Sequence, residues 1–312
     1  MGNPPETDQQ GQTDDNATHE AAMWFAQLLD PATPQSDYGR FREWLHADDR
    51  NAKAYARMES LWGQSAAEPK KSDGLHPRRG FLKAIGGVAL LAGSGTVAWT
   101  VVERPDFSTG KAEIRSFRLP DGSTAQLSPG SAISLDFGGT TRRVTLHRGE
   151  AYFAVEADAG RPFVVEAGSL SATALGTAYS VSLMPEKTSV TVAQHSVRVE
   201  VSDHNLELRE GEAVDYRDGV LGSVLHDEVE GRLGWRSRQL VFLARPLGEV
   251  VAEINRWRAG RLVVLDPVLA DRRVTAILDV SDIAGIDRSL QQGLPITLTS
   301  YTPLLTIVTA RR

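Results

Sequence analysis

The chain contains no cysteine among its 312 residues. It therefore has no disulfide to stabilise it and no thiolate for nucleophilic chemistry. Its seven histidines show neither an H-x-H nor an H-E-x-x-H spacing, and this gives a metal site little support. The sequence also lacks a Gly-rich phosphate loop and a G-x-S-x-G nucleophile elbow. A net charge of −6 gives no support to direct nucleic-acid binding. We therefore predict no cofactor and no conventional enzyme site.

Charge is also missing from one long stretch, residues 84–102, which lies between Lys83 and Glu103. About twenty apolar residues are enough for a helix to cross the ~30 Å hydrocarbon core of a bilayer. Lys and Arg are concentrated before this stretch, so the positive-inside bias predicts a cytoplasmic N-terminus. We therefore predict a single-pass inner-membrane protein whose C-terminal part lies outside the cytoplasm.

Two other interpretations of this stretch were weighed. A buried core helix is disfavoured because each of its four glycines costs about 1 kcal/mol relative to Ala, whereas Gly is common in membrane helices. A cleaved export signal is suggested by a twin-arginine motif formed by Arg78, Arg79, Phe81 and Leu82. Cleavage is disfavoured because the motif lies far from the N-terminus and no A-x-A pattern follows. We interpret residues 65–83 as a basic linker and residues 84–102 as an uncleaved anchor.

The part before the linker changes character near residue 17. Residues 1–16 are rich in Gln, Asp and Pro, and we predict that they form a disordered tail. In residues 17–64, apolar side chains recur at helical spacing in three segments, which predicts a small helical domain. The large apolar residues on these stripes are Trp24, Phe25, Phe41, Trp44, Leu45 and Trp62. They can fill the interior or present part of their surface to a partner, and the two interpretations are compatible.

Beyond the membrane stretch, residues 111–217 consist of short alternating segments separated by turn residues, which is typical of an all-β domain. A sandwich and a solenoid-like sheet both fit this pattern. Residues 218–234 are interpreted as a linker. The pattern of residues 235–312 predicts a small α+β module of β-α-β-β-α-β-β order. The unpaired edges of its sheet must be covered by another element, protected by charged residues or paired with a partner strand.

Five groups of residues, in chain order, resemble the motifs of the FecR family of transmembrane anti-sigma factors. They are Trp24-Phe25 with Phe41-x-x-Trp44-Leu45 and Trp62; Leu119-Pro120-Asp121-Gly122-Ser123; Leu146-x-Arg148-Gly149-Glu150-Ala151-Tyr152-Phe153; Arg161-Pro162-Phe163-Val164-Val165; and Leu175-Gly176-Thr177-Ala178-Tyr179. The C-terminal module, with Phe242, Pro246-Leu247, Val250 and Asn255-Arg256, is similar to the short N-terminal domain of secretins and TonB-dependent transducers. The resemblance covers nearly the whole chain.

The resemblance implies that the helical domain sequesters an extracytoplasmic-function sigma factor, and we expect the six large apolar residues named above, Leu45 included, to bind it. The resemblance also implies that the periplasmic part senses the signalling domain of a ligand-loaded TonB-dependent receptor of the iron, siderophore or haem type. We expect a receptor-binding edge strand either at Val241 and Leu243 or at Leu305 and Ile307. Site-1 and intramembrane proteases would then release the helical domain with its sigma factor.

Some members of the family cut their own chain at a Gly-Thr pair, which Gly176 and Thr177 match here. The Thr177 hydroxyl would attack the Gly176 carbonyl and form an ester that water opens, provided that a strained turn brings the two together. A bulge or tight bend between two strands explains the same residues, and both interpretations stay open. Tyr179 stands where the family usually has Phe, which puts the cut in doubt but not the fold.

Two alternative functions come from other classes of protein. One is a membrane-tethered periplasmic binding module without sigma-factor control, in which the N-terminal helices are a structural cap. The other is an unrecognised envelope hydrolase that uses the β domain. The first predicts no sigma-factor partner, and the second requires a pocket of converging polar groups.

Overall fold

The structure is a computed structural model, and it describes residues 6–28, 33–64, 104–202, 204–226 and 229–311. The predicted basic linker, the twin-arginine motif and the predicted membrane helix at 84–102 lie outside the described residues. The side chain of Trp62 lies outside them as well. Among the helices within the described ranges, none is long and apolar enough to cross a membrane.

Three helices form the N-terminal bundle, namely α1 (Glu6–Leu28), α2 (Gln35–Ala47) and α3 (Asp49–Gln64). The Asp48 side chain accepts a hydrogen bond from the Arg50 amide at 2.9 Å, so it caps the start of α3. The predicted disordered tail is wrong for residues 6–16, which are helical. Once the packed half of α1 has formed, extending the helix adds one hydrogen bond per residue and needs no apolar stripe.

Residues 107–226 form one 14-stranded sheet. Its strands are β1 (Phe107–Ser108), β2 (Arg115–Arg118), β3 (Thr124–Leu127), β4 (Ala132–Phe137), β5 (Arg142–Ala154), β6 (Phe163–Ala167), β7 (Leu170–Ala174), β8 (Ala178–Met184), β9 (Lys187–Gln194), β10 (Ser196–Val201), β11 (His204–Arg209), β12 (Glu212–Arg217), β13 (Val220–Leu221) and β14 (Leu225–His226). The main path runs β11-β10-β7-β6-β5-β8-β9-β12-β13. The all-β prediction for this part of the chain is therefore confirmed.

Strand β5 joins the two halves of this sheet. Its first half pairs with β4 and, in parallel, with β6, whereas its second half pairs with β3 and β8. The change occurs at Gly149, where φ is +83° and a Cβ would lie 2.3 Å from the Ser131 Oγ, so only glycine fits. Phe153 of one half packs on Phe163 of the other at 5.5 Å between ring centroids. The halves are thus two layers around one apolar core, a sandwich made from a continuous sheet.

The C-terminal module has the predicted order of strands and long helices, together with two short helices and a 3-10 turn that the sequence did not predict. The elements are α4 (Val229–Leu233), a 3-10 turn (Gly234–Ser237), β15 (Gln239–Pro246), α5 (Leu247–Trp257), β16 (Arg261–Val264), α6 (Pro267–Ala270), β17 (Arg273–Asp279), α7 (Ile283–Gly293), β18 (Ile296–Thr302) and β19 (Leu305–Ala310). Strands β15 and β17 form a two-stranded sheet, and β16, β19 and β18 form a three-stranded sheet. The helices pack between them through an apolar stripe on α5 that includes Leu247, Val250 and Ile254.

The predicted linker at 218–234 is wrong in part, because β13, β14 and α4 lie within it. Both strands are two residues long and pair with β12. Segments this short carry no measurable alternation, so sequence periodicity does not detect them.

Candidate functional site

Three of the predicted sigma-factor-binding residues, Trp24, Phe41 and Trp44, come together in the N-terminal bundle. The rings of Trp24, Phe41 and Trp44 lie 5.8, 6.4 and 6.2 Å apart between centroids. Tyr55 on α3, which was outside the predicted set, completes the cluster at 4.6 Å from Phe41. Aromatic pairs at these distances add to the stability gained from burial alone. We call these four residues the aromatic cluster.

The aromatic cluster is not fully enclosed. All four of its members and the neighbouring Leu45 are half-buried. The Trp44 Nε1 donates to the Glu20 Oε2 at 2.5 Å, which fixes the orientation of the indole. Large rings that are held rigidly and left partly open are typical anchors for a protein partner. The aromatic cluster therefore stabilises the bundle and also leaves part of its own surface exposed to a partner.

Phe25, also predicted to bind the sigma factor, contacts the aromatic cluster at Tyr55, with 5.8 Å between ring centroids, but unlike the members of the cluster it is buried. It is buried together with Met58 against Leu305 and Ile307, in an apolar contact between the bundle and the three-stranded sheet. Strand β19 lies between β16 and β18, so the predicted receptor-binding edge at Leu305 and Ile307 is wrong. The parallel pairing of β16 with β19 joins segments separated by more than thirty residues, and local alternation does not reveal it.

The other predicted edge, at Val241 and Leu243, lies on β15 in the two-stranded sheet. Leu243 is 58% exposed, and Ile277 on β17, directly opposite Val241, is 71% exposed. Together, Leu243 and Ile277 form an exposed apolar patch at a short sheet. The sequence prediction found only half of this patch, because Ile277 belongs to another strand. Exposed apolar residues on such a sheet are suited to a partner strand.

Gly176 and Thr177 form the tight connection between β7 and β8. The Thr177 carbonyl accepts from the Val155 amide at 2.9 Å. A Cβ on Gly176 would lie 2.9 Å from the Ala157 Cα, so the two backbones approach too closely for any other residue. Thr177 is buried, and its Oγ1 makes no hydrogen bond with the described part of the chain. A buried hydroxyl without a partner is costly, which makes it a candidate reactive group.

A buried ion pair lies beside this connection. The Arg142 Nη1 is 2.8 Å from the Asp121 Oδ2, and the two side chains are 1% and 2% exposed. Arg142 also donates to the carbonyls of Glu156 and Arg161, each at 2.9 Å. Burial acts to raise the pKa of Asp121, but hydrogen bonds from Ser123 and Arg142 outweigh it and hold that pKa below its usual value. The pair thus ties the turn before β3 to the segment that faces Gly176.

Glu150 lies where the β domain meets the C-terminal module. Its Oε1 accepts from the Ser180 Oγ at 2.8 Å and from the Trp235 Nε1 at 2.7 Å. Burial raises the pKa of Glu150 to about 7, and the opposing effects of these hydrogen bonds and of Arg256 offset only part of the shift. The carboxylate also lines a cavity of about 230 Å³ between the two units. In the described part of the chain, no group of three or more His, Asp or Glu side chains could hold a metal ion.

The architecture defines a class of protein, in which a small helical bundle precedes a large β-rich domain. Residues 106–198 match the model of the family described as FecR protein, and residues 19–61 match a domain of unknown function, DUF4880. The two family models match in the order that the motifs predicted, and the resemblance to the FecR family is confirmed. No curated protein matches the sequence.

Two crystal structures of a protein from Parabacteroides distasonis ATCC 8503, described as a "putative anti-sigma factor", share the fold. They were determined at 1.65 and 2.50 Å resolution, and each is 21% identical to this chain. The TM-scores are 0.61 and 0.60, and each match covers 65% of this chain. The matches cover 98% and 97% of the Parabacteroides chains.

Proposed function

We propose that the chain is an inner-membrane anti-sigma factor that holds an extracytoplasmic-function sigma factor in the cytoplasm. The observation that carries the proposal is the half-exposed aromatic cluster within residues 19–61, on a chain that matches the FecR family model. Partly open aromatic side chains are suited to receive the apolar face of a partner helix. The bundle would then cover the surface that the sigma factor needs for RNA polymerase, without touching nucleic acid itself.

In this proposal residues 84–102 cross the membrane, and the β domain and C-terminal module lie in the periplasm. The contact of Phe25 and Met58 with the three-stranded sheet cannot exist in that arrangement, because its two sides would be separated by the bilayer. The inserted protein would therefore expose an apolar face that contains Leu305 and Ile307. The patch of Leu243 and Ile277 is the surface that we assign to the signalling domain of a TonB-dependent receptor.

Release of the sigma factor would follow from proteolysis. A ligand-loaded receptor of the iron, siderophore or haem type would engage the C-terminal module, and site-1 and intramembrane proteases would then free the bundle. The test is transcription from promoters of each candidate sigma factor in cells with and without the chain. The proposal requires that deletion raises transcription from one set of promoters; if all sets are unchanged, sequestration is wrong.

We also propose that the chain cleaves itself once between Gly176 and Thr177. The Thr177 Oγ1 would add to the Gly176 carbonyl carbon as the C–N bond breaks, so the amide becomes an ester and the amine of Thr177 is freed. Water then hydrolyses the ester to a carboxylate at Gly176 and restores the hydroxyl. The unpartnered hydroxyl and the close approach of Gly176 to Ala157 support this reaction.

Replacement of Thr177 by Ala is expected to abolish the cut, because no nucleophile remains at this position. The intact mass of the purified full chain measures the outcome: the wild type should yield two fragments, the second beginning at Thr177. Thr177→Ser keeps the hydroxyl and should still cut, which separates loss of chemistry from loss of fold. A single intact mass for the wild type would show that the residues form only a tight bend.

A further inference from the structure

The segment that follows the predicted membrane helix is bound tightly to the β domain. Within residues 104–112, Phe107 and Ser108 form β1 and pair with β4. Thr109 is buried, its Oγ1 donates to the Ser128 carbonyl at 2.6 Å, and its amide donates to the Ser131 carbonyl at 3.0 Å. The segment therefore rests on the turn at 128–131.

Arg256, in the last turn of α5, reaches the same turn from the C-terminal module. Its Nη2 donates to the Ser128 Oγ and to the Pro129 carbonyl, each at 2.6 Å. Its Nη1 lies 3.0 Å from the Glu253 Oε2, and the arginine side chain is 17% exposed. Charge-assisted hydrogen bonds made by a largely buried guanidinium are strong and directional. Arg256 thus joins the module to the turn that carries the segment.

The module also contacts the segment directly. The Ala112 amide donates to the Arg256 carbonyl at 2.9 Å. Ala112 has a φ of +56°, a left-handed conformation that residues other than glycine rarely adopt. Its neighbour Lys111 is exposed, so the Lys111–Ala112 peptide bond lies at the surface while its N–H is held by α5. A protease must pull such a bond into an extended form, which requires local opening.

We propose that residues 104–112 are a regulated proteolytic site that Arg256 keeps closed by tying it to the C-terminal module. The inference rests on the proposed function, since it places the first cut of the release pathway next to the predicted membrane helix. Receptor binding can reach Arg256 because β15, which carries the exposed Leu243, runs directly into α5 at Leu247. Displacement of β15 would therefore move α5 and free the segment.

Trypsin digestion of the full chain in detergent tests this inference without a sigma factor, receptor or cognate protease. Trypsin cuts after Lys111, and mass spectrometry follows the product that begins at Ala112. Arg256→Met should accelerate this cut about tenfold or more, because cleavage of a closed segment tracks the population of its open form. Ser128→Ala, which removes one acceptor on the β domain, should accelerate it in the same direction and add little to Arg256→Met.

Arg258→Met is the matched control. Arg258 lies two residues further along, is 12% exposed, and pairs with Asp287 at 2.8 Å within the module. Its loss perturbs the module but not the turn at 128–131, so the cut after Lys111 should stay near the wild-type rate. Equal acceleration by both variants would show general loosening of the module, and an unchanged rate in Arg256→Met would show that Arg256 closes nothing. Either result overturns the inference, and neither bears on sigma-factor binding.

Discussion

Arg142→Met is expected to destabilise the β domain by about 3–5 kcal/mol, the usual cost of breaking a buried ion pair by removing one partner. The Asp121 carboxyl, which is 2% exposed, would lose the guanidinium that pairs with it. The carbonyls of Glu156 and Arg161 would lose their donor at the same time. These two carbonyls lie on the segment that faces Gly176, so the connection between β7 and β8 should loosen with them.

Hydrogen exchange of the β5 and β8 amides in the full chain measures this loss, because these strands lie at the centre of the sheet. Arg143→Met is the matched control at the next position. Arg143 pairs with Glu166 across β5 and β6, but the two side chains are 44% and 36% exposed. Such a pair contributes at most about 1 kcal/mol. Similar losses in the two variants would show that burial of the Arg142–Asp121 pair is not what matters.

The second large effect concerns pH. The pKa of Glu150 is raised from 4.5 to about 7 in the folded protein. Between these values the folded state holds a proton that the unfolded state has released, so the free energy of unfolding falls as pH rises. The loss begins near pH 4.5, is nearly complete once the pH passes about 7, and amounts to at most about 3 kcal/mol. The junction between the β domain and the module should therefore be tighter at pH 5 than at pH 8.

Glu150→Gln should remove this pH dependence without disrupting the junction. A glutamine oxygen can still accept from Ser180 and Trp235, and the side chain carries no charge at any pH. Urea unfolding at a series of pH values, followed by tryptophan fluorescence, compares the free energies of unfolding of the two proteins. If the wild type and Glu150→Gln lose stability in parallel between pH 5 and 8, another group is responsible.

Much of the fold could be predicted because its signals are local. The order of strands and long helices in the C-terminal module follows from alternation and helical stripes. The Asp282 side chain caps α7 by accepting a hydrogen bond from the Gly285 amide at 2.9 Å, which is also a local interaction. The wrong prediction of an edge at Leu305 and Ile307, by contrast, comes from an interaction between distant segments. Strand β19 became central only through its parallel pairing with β16.

The residues of the candidate site also divide into those with a local sequence signal and those that depend on contacts between distant segments. Trp24, Phe41 and Trp44 could be found because each lies on the apolar stripe of its own helix. The contact between Glu150 and Trp235 spans 85 positions, and no spacing rule joins residues so far apart. The buried ion pair of Arg142 could not be predicted for a related reason. A charged residue in a strand suggests an exposed side chain, and only the fold shows that Arg142 pairs with Asp121.

The most direct measurement of the central claim is the affinity of the purified full chain for each extracytoplasmic-function sigma factor of the same cell. One of them should bind, and Trp44→Ala should weaken binding at least about thirtyfold, the loss typical of an anchor residue. Trp44→Phe should restore part of the affinity, and Met23→Ala, at a half-exposed position on α1 outside the aromatic cluster, should leave it unchanged. If no sigma factor binds, or if Trp44→Ala binds as well as the wild type, the aromatic cluster is only a core, and the chain is better explained as a membrane-tethered binding module.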